Sequence, residues 1–465
     1  MITKAQIEQL KRENPQQLYA LLSSQVDSRE VLIVLENLGH LPPNFDLSCV
    51  LPLTQHATKE IRLWAVKNLG KIATPEHLAA LHQVADNPQE DSMVRREAVS
   101  SIGRMRLHAG QPFLLDFLKH EDPKIVVQAI RGLLIFKDDA QIRAALLELK
   151  NHPNEMIQSI IRREFSNNGK TERAPIHPHP QSPDFMKNVV VHDDVRAVLK
   201  TVPDESIHLT FTSPPYYNAR DYSIYVSYQA YLDFLSDVFA QVQRITKQGR
   251  FLIVNTSPVI VPRISRSHAS TRYAIPFDLH ARLVQQGWEF IDDIVWLKPE
   301  SSVKNRNAGF LQHRKPLAYK PNATTEYLMV YRKQTEKLLD WNMNQYDNET
   351  IEKSRVLGEY ETSNIWRIDP VFDRVHSAVF PLELCNRVIR FYSYHGDLVF
   401  DPFGGSGTLG KSARALGRYF FLIEKEEKYI ERMKESLSNT YLFENTPTKF
   451  LTLSEFALER QKSTW

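Results

Sequence analysis

Two stretches, far apart in the chain, hold residue types whose spacing could do chemistry. The first is Ser213-Pro214-Pro215-Tyr216, which follows the short apolar run Ile207–Thr212. Proline lacks the N–H and fixes φ near about −65°, so the pair ends the strand, forces Ser213 extended and leaves rigid carbonyls unpaired at the mouth of a sheet. A hydroxyl, two fixed backbone acceptors and an aromatic ring suit a flat base carrying an amino group: acceptors surround the NH2 and the ring covers the π face. The second stretch is Asp401-Pro-Phe-Gly-Gly-Ser-Gly-Thr408, placed between the apolar run Leu398–Phe400 and a helix, with the run Tyr419–Glu424 beyond. The chain has only 16 glycines, so Gly404, Gly405 and Gly407 together mark a place where backbone and ligand approach closely. Strand, glycine loop, helix and a strand ending in an acid form the nucleotide-binding half of a Rossmann-like sheet, with Glu424 set to reach a ribose diol.

Asp401 at the strand end would repel a pyrophosphate, which argues against a phosphate-gripping loop. Carboxylates fit a cationic ligand bearing a diol. S-adenosylmethionine carries an ammonium, a sulfonium and a ribose, and Asp401, Glu424 and Phe403 suit it by charge and cation–π contact.

In that order, base clamp ahead of cofactor loop, the two stretches resemble the DNA amino-methyltransferases of beta-type motif order, across roughly residues 189 to 440. The resemblance implies roles for further residues. Asp194 matches the family's adenine-binding acid, Trp296-Leu-Lys-Pro its mid-domain strand, and His376-Ser-Ala-Val-Phe-Pro381 its cofactor-contacting helix entry, which brings in Ser377 and Phe380. Phe403, Gly404, Gly405, Gly407 and Thr408 would hold the methionine end of the cofactor. The serine in the clamp resembles the cytosine-N4 subgroup, with Ser213, Pro214, Pro215 and Tyr216 catalytic. The activity so implied is methyl transfer from S-adenosyl-L-methionine to N4 of cytosine in double-stranded DNA, within a restriction-modification setting that allows a cognate restriction endonuclease and a homodimer. An adenine-N6 enzyme on the same fold stays open, as does a HEAT scaffold whose methyltransferase-like domain holds nucleic acid without turnover. A cytosine-C5 enzyme would need a cysteine nucleophile in the matching loop, and neither Cys49 nor Cys385 is placed for it.

These stretches need elements to position them. After Asn188 apolar runs and amphipathic helices alternate, as in a mostly parallel α/β sheet, and the fold expected is a Rossmann-like S-adenosylmethionine-dependent methyltransferase preceded by an all-α solenoid. Residues 1–165 repeat: Val31–Gly39, Ile61–Gly70, Val94–Gly103 and Ile125–Leu134 recur about every 31 to 33 residues, each with one apolar stripe. A helix with one such stripe cannot bury it alone; stacked pairs can, and the pattern resembles HEAT repeats. Residues 166–187 read as a proline-rich linker, in which His177 and His179 are linker residues and no metal site is expected. The methyltransferase domain spans 188–445, and 446–465 a C-terminal tail. Net charge is only +3, so any DNA footprint must be local. It is expected in Arg263, Arg266 and Arg272, and in Lys304, Arg306, Arg314, Lys315 and Lys320, with target-recognition segments around 300–322 and 333–375. No apolar run reaches the ~20 residues of a membrane span, and the chain reads as cytoplasmic and nucleoid-associated.

Overall fold

A computed structural model describes residues 2–23, 28–42, 44–165, 177–217, 225–261, 265, 267–268, 270–303, 316–317, 319, 321–371, 380–437 and 447–465. The chain divides into two compact units, Met1–Glu172 and Arg173–Trp465.

The first unit is helical: α1 (Lys4–Glu13), α2 (Pro15–Ser23), α3 (Ser28–Asn37), α4 (Lys59–Leu69), α5 (Pro75–Asp86), α6 (Ser92–Met105), α7 (Gln111–Phe117), α8 (Pro123–Leu133), α9 (Ala140–Glu148) and α10 (Glu155–Phe165). Asp91, Asp122 and Asp139 start α6, α8 and α9 by accepting from first-turn N–H groups, and Pro123 takes the first helical position, where its missing N–H costs nothing. The repeated glycines mark backbone crossings. A Cβ on Gly70 would stand 2.5 Å from Ser101 Cβ, and one on Gly103 would stand 2.8 Å from Gly132 Cα, so α4, α6 and α8 stack closer than side chains allow. Buried Asn68 ties successive repeats by donating to Leu35 O at 2.9 Å. The apolar stripes meet in one core, as the repeat pattern requires.

The second unit runs β1 (Val189–His192), α11 (Val195–Leu199), β2 (Ile207–Thr212), α12 (Tyr228–Ile245), β3 (Thr246–Thr256), β4 (Val259–Val261), β5 (Thr271–Tyr273), α13 (Ile275–Gln285), β6 (Trp288–Leu297), β7 (Thr325–Lys333), α14 (Leu339–Met343), α15 (Asn348–Ser354), β8 (Ile365–Arg367), α16 (Leu382–Tyr392), β9 (Leu398–Asp401), α17 (Thr408–Ala415), β10 (Tyr419–Glu424), α18 (Glu427–Leu437), β11 (Lys449–Thr452) and α19 (Leu453–Lys462). The main sheet has the order β11-β1-β10-β9-β2-β3-β7-β6-β8. Strand β7 is antiparallel to β3 and β6, and the other pairings are parallel. All six residues of β2 are buried, His208, Thr210 and Thr212 included, as in a strand covered on both faces. Two cores form: Leu209 and Phe211, two residues apart, share one of them, and Ile207, which precedes a register shift in the pairing of β2 with β3, belongs to the other. Connections through α12 step from β2 to β3, those through α17 step from β9 to β10, and these steps run in opposite directions from the adjacent pair β2 and β9. Such a reversal opens a crevice at the carboxyl ends of the strands.

Three regions differ from the sequence expectations. The end of the proposed linker is part of the second unit: Phe185 and Met186 are core residues, and His208 bonds His179 O through Nε2 at 3.0 Å. The proposed tail is structural too. Strand β11 pairs in parallel with β1, and Phe456 of α19 is fully buried; a four-residue edge strand is too short to announce itself by periodicity. Within the segment 333–375, α14 and α15 lead to the opposite end of the sheet from the crevice. Between them, Tyr346 donates to Asp397 Oδ1 at 2.6 Å, and buried Arg250 pairs with the same carboxylate, just ahead of β9. That stretch is anchored by a buried charge network that its weak apolar pattern did not reveal.

Candidate active site

Asp401 and Thr212 end the neighbouring strands β9 and β2, so the two chemistry-bearing stretches emerge side by side. They are joined directly. Thr212 Oγ1 donates to Asp401 Oδ1 at 2.6 Å, and Phe403 N donates to the same oxygen at 2.9 Å. Asp401 is only 3% exposed, and burial pushes its carboxyl up to about 7; the two hydrogen bonds oppose that rise and the nearby Glu424 charge adds to it. Glu424, at the end of β10, is held by three backbone amides: Gly405 N at 2.8 Å on Oε2, and Lys425 N at 2.9 Å and Glu426 N at 2.8 Å on Oε1. Burial raises its pKa as well, and those amides counter the rise.

A cavity of about 390 Å³ opens between these strand ends. Six of the residues expected from sequence line it: Asp194, Ser213, Pro215, Phe403, Gly405 and Glu424. Asp194 is also the N-cap of α11, accepting from Arg196 N at 2.9 Å. The others stand elsewhere. Asp401 lies behind the wall, its Oδ1 occupied as above. Gly404 packs on β10, where a Cβ would meet Leu422 Cβ at 3.2 Å, and Gly407 adopts φ +77° with room for a Cβ closed by Met433 Cγ at 2.8 Å. These glycines are spent on packing the loop against β10 and α18, whereas Gly405 faces the cavity. Thr408 opens α17, and Phe380 stacks on Phe211 at 4.6 Å inside a core. Pro214 and Tyr216 do not line the cavity; Tyr216 hydrogen-bonds Glu326 instead. Arg272 is exposed on the β4–β5 hairpin, which follows the carboxyl end of β3. Ser377, Arg263, Arg266, Lys304, Arg306, Arg314, Lys315 and Lys320 lie outside the described residues.

Asp193, the acid beside Asp194, lines the cavity too; sequence reasoning missed Tyr225 and Phe234 in its lining, and gave no task to Thr212 or Glu326. Phe234 sits mid-helix on α12 among other apolar residues, and nothing local separates it from the core. Asp193 was legible as one of two acids ending β1.

Residues 207–435 match a DNA methylase family covering N6 and N4 members, and residues 50–135 match HEAT repeats. The second unit carries a DNA methylase domain. The methylase region is 27% identical over 297 residues to the type II methyltransferase M.MwoI of Methanothermobacter wolfeii, covering 58% of this chain and 39% of that protein. It is 26% identical over 271 residues to the type II methyltransferase M.Cfr9I of Citrobacter freundii, covering 51% of this chain and 83% of the relative. A putative DNA modification methylase from Thermus thermophilus, solved in complex with S-adenosyl-L-methionine, aligns at 27% identity and TM-score 0.46 over 57% of this chain and 98% of its own. Thus the chain spans well under half of the first relative and most of the second. Among the described residues no helix is long and apolar enough to cross a membrane.

Proposed function

We propose that this chain is a site-specific DNA methyltransferase that moves a methyl group from S-adenosyl-L-methionine to an exocyclic amine, and that the amine is N4 of cytosine in duplex DNA. The observation that carries the reading is that one cavity is lined both by Ser213 and Pro215 of the proline clamp and by Phe403 and Gly405 of the glycine loop with Glu424 at the end of β10. The lining suits such a cofactor by charge and size. Asp193, Asp194, Glu424 and Glu426 face Arg196 and Lys425, an acidic balance for a cationic ligand, and about 390 Å³ falls within the ~300–1,000 Å³ of ligand clefts. Glu424 would hold the ribose diol, with Phe234 and Phe403 supplying apolar and cation–π contact.

When bound, S-adenosyl-L-methionine supplies a methyl group made electrophilic by its sulfonium. The chain's own part is positioning and electrostatics. An exocyclic amine is a poor nucleophile while its lone pair is delocalised into the ring. Ser213 Oγ and the Pro214 carbonyl accept from the NH2 and hold it aimed into the cavity. The base must leave the duplex at a cost of a few kcal/mol, and stacking on Tyr216 at ~1–3 kcal/mol offsets much of that. Arg272 and the basic residues 263, 266, 304, 306, 314, 315 and 320 would meet DNA phosphates or base edges. The serine in the clamp supports cytosine over adenine. Incubating the protein with cofactor and genomic DNA, hydrolysing the DNA and separating its nucleosides by mass tests this directly. N4-methylcytosine is expected; N6-methyladenine as sole product overturns the choice of atom, and the absence of any methylated nucleoside overturns the activity.

A further inference from the structure

Tyr216 is held by residues outside its own loop. Its phenol donates to Glu326 Oε2 at 3.1 Å, and the other oxygen of Glu326 is ion-paired with Lys298 Nζ. Glu326 lies on β7 and Lys298 just beyond β6. In the antiparallel register Trp296 stands opposite Glu326, and Lys298, two residues further on, shares that face; its ammonium lies 4.4 Å from the centre of the Trp296 ring. The Trp296 ring is itself pinned, Nε1 donating to Ile368 O at 2.8 Å. Side-chain exposure of Lys298 and Glu326 is 17% and 16%, so the pair is largely screened from water and its geometry is stiff.

We propose that Glu326, fixed by Lys298, is a positioning residue that sets the Tyr216 ring in place for stacking on the target base. The inference rests on the methyltransferase reading above and adds a specific role for the β6–β7 pair within it. A carboxylate already bound to a cation on one oxygen cannot swing away, and its second oxygen becomes a directional acceptor for the phenol. A ring oriented before the base arrives loses no rotamer freedom when it stacks. Burial and the Glu326 charge also keep the phenol well above its ordinary pKa, a hydrogen bond from Ser257 acting the other way. Tyr216 therefore stays a neutral donor whose proton is directed to Glu326, and its contribution to the reacting base is the ring face.

The test uses the full-length protein, with an unmodified duplex for turnover and a second duplex carrying 2-aminopurine in place of the target base for extrusion, the site mapped beforehand by methylation-sensitive sequencing. Glu326→Gln keeps the side-chain shape and removes the charge that Lys298 grips. The expected result is a kcat about tenfold lower, the loss typical of one charged hydrogen bond. The fluorescence rise that reports the extruded base should weaken, while S-adenosyl-L-methionine affinity stays at its wild-type value. Tyr216→Phe should lose a similar factor, and the double variant should be no worse than the poorer single one, because both remove one tie. Wild-type kcat and fluorescence in Glu326→Gln, or additive losses in the double variant, overturn the inference alone. A wild-type protein that methylates no DNA overturns the methyltransferase reading and this inference with it.

Discussion

Replacing Asp401 by Asn removes a buried titrating group and leaves Oδ1 as an acceptor for both Thr212 Oγ1 and Phe403 N. The carboxyl moves from an ordinary 3.8 to about 7, so the folded chain binds this proton more tightly than the unfolded chain. Because the folded value is the higher one for an acid, stability is fully present below pH 3.8 and is lost as pH rises through the window up to about 7. At about 1.36 kcal/mol per pH unit the loss amounts to about 4 kcal/mol. No discount for solvent applies to a side chain so deeply buried. The substituted amide has no charge to bury, so the Asp401→Asn variant should lack most of this slope and be more stable than wild type at alkaline pH. Urea denaturation followed by tryptophan fluorescence reads the relevant unit, since Trp64 alone of the six tryptophans lies in the first one. Midpoints taken from pH 3.8 up to mildly alkaline pH should converge at the acid end and diverge at the alkaline end, with the variant higher. Parallel pH curves for the two proteins would refute the argument that Asp401 is held in a desolvated wall. A large loss of cofactor affinity at unchanged stability would instead return Asp401 to direct ligand contact.

Glu424→Gln removes the charge that three amides point at, and calorimetry should show S-adenosyl-L-methionine binding weakened by about 1.5–3 kcal/mol; wild-type affinity would end the ribose assignment. Gly407→Ala adds a Cβ 2.8 Å from Met433 Cγ at φ +77°, and should destabilise the second unit by about 2 kcal/mol in the same urea assay, partly relieved by Met433→Ala. Ser213→Ala should lower single-turnover methyl transfer more than it lowers cofactor affinity, since the proposed role of the hydroxyl is to accept from the base; equal losses in both would move Ser213 into the cofactor site.

By itself the sequence determined the repeat solenoid, the alternation of strands and helices after Asn188, the two chemistry-bearing stretches and Glu424 as an acid ending a strand. The reason is that each of these is written locally. An apolar stripe of period 3.6, a proline pair after a strand, or a glycine loop followed by a helix needs no distant partner to be recognised. What only the tertiary structure decided is which atoms face the ligand. Asp401 and Gly405 belong to one motif, yet one is walled off by a hydrogen bond from Thr212 and the other lines the cavity. Thr212 was placed by sequence in the strand and given no task, because its partner arrives from a strand formed much later in the chain. The same holds for Tyr216, whose ring looked like part of the loop that carries it and is held from β6 and β7. The linker end and the tail were misread for the complementary reason. Residues 177–187 and 447–465 have little periodicity of their own and gain structure by covering edges and faces that the rest of the sheet creates. Sheet pairing brings together residues that no window of sequence contains, so the wall of the cavity is a property of the register between strands and of the side-chain ties that cross it.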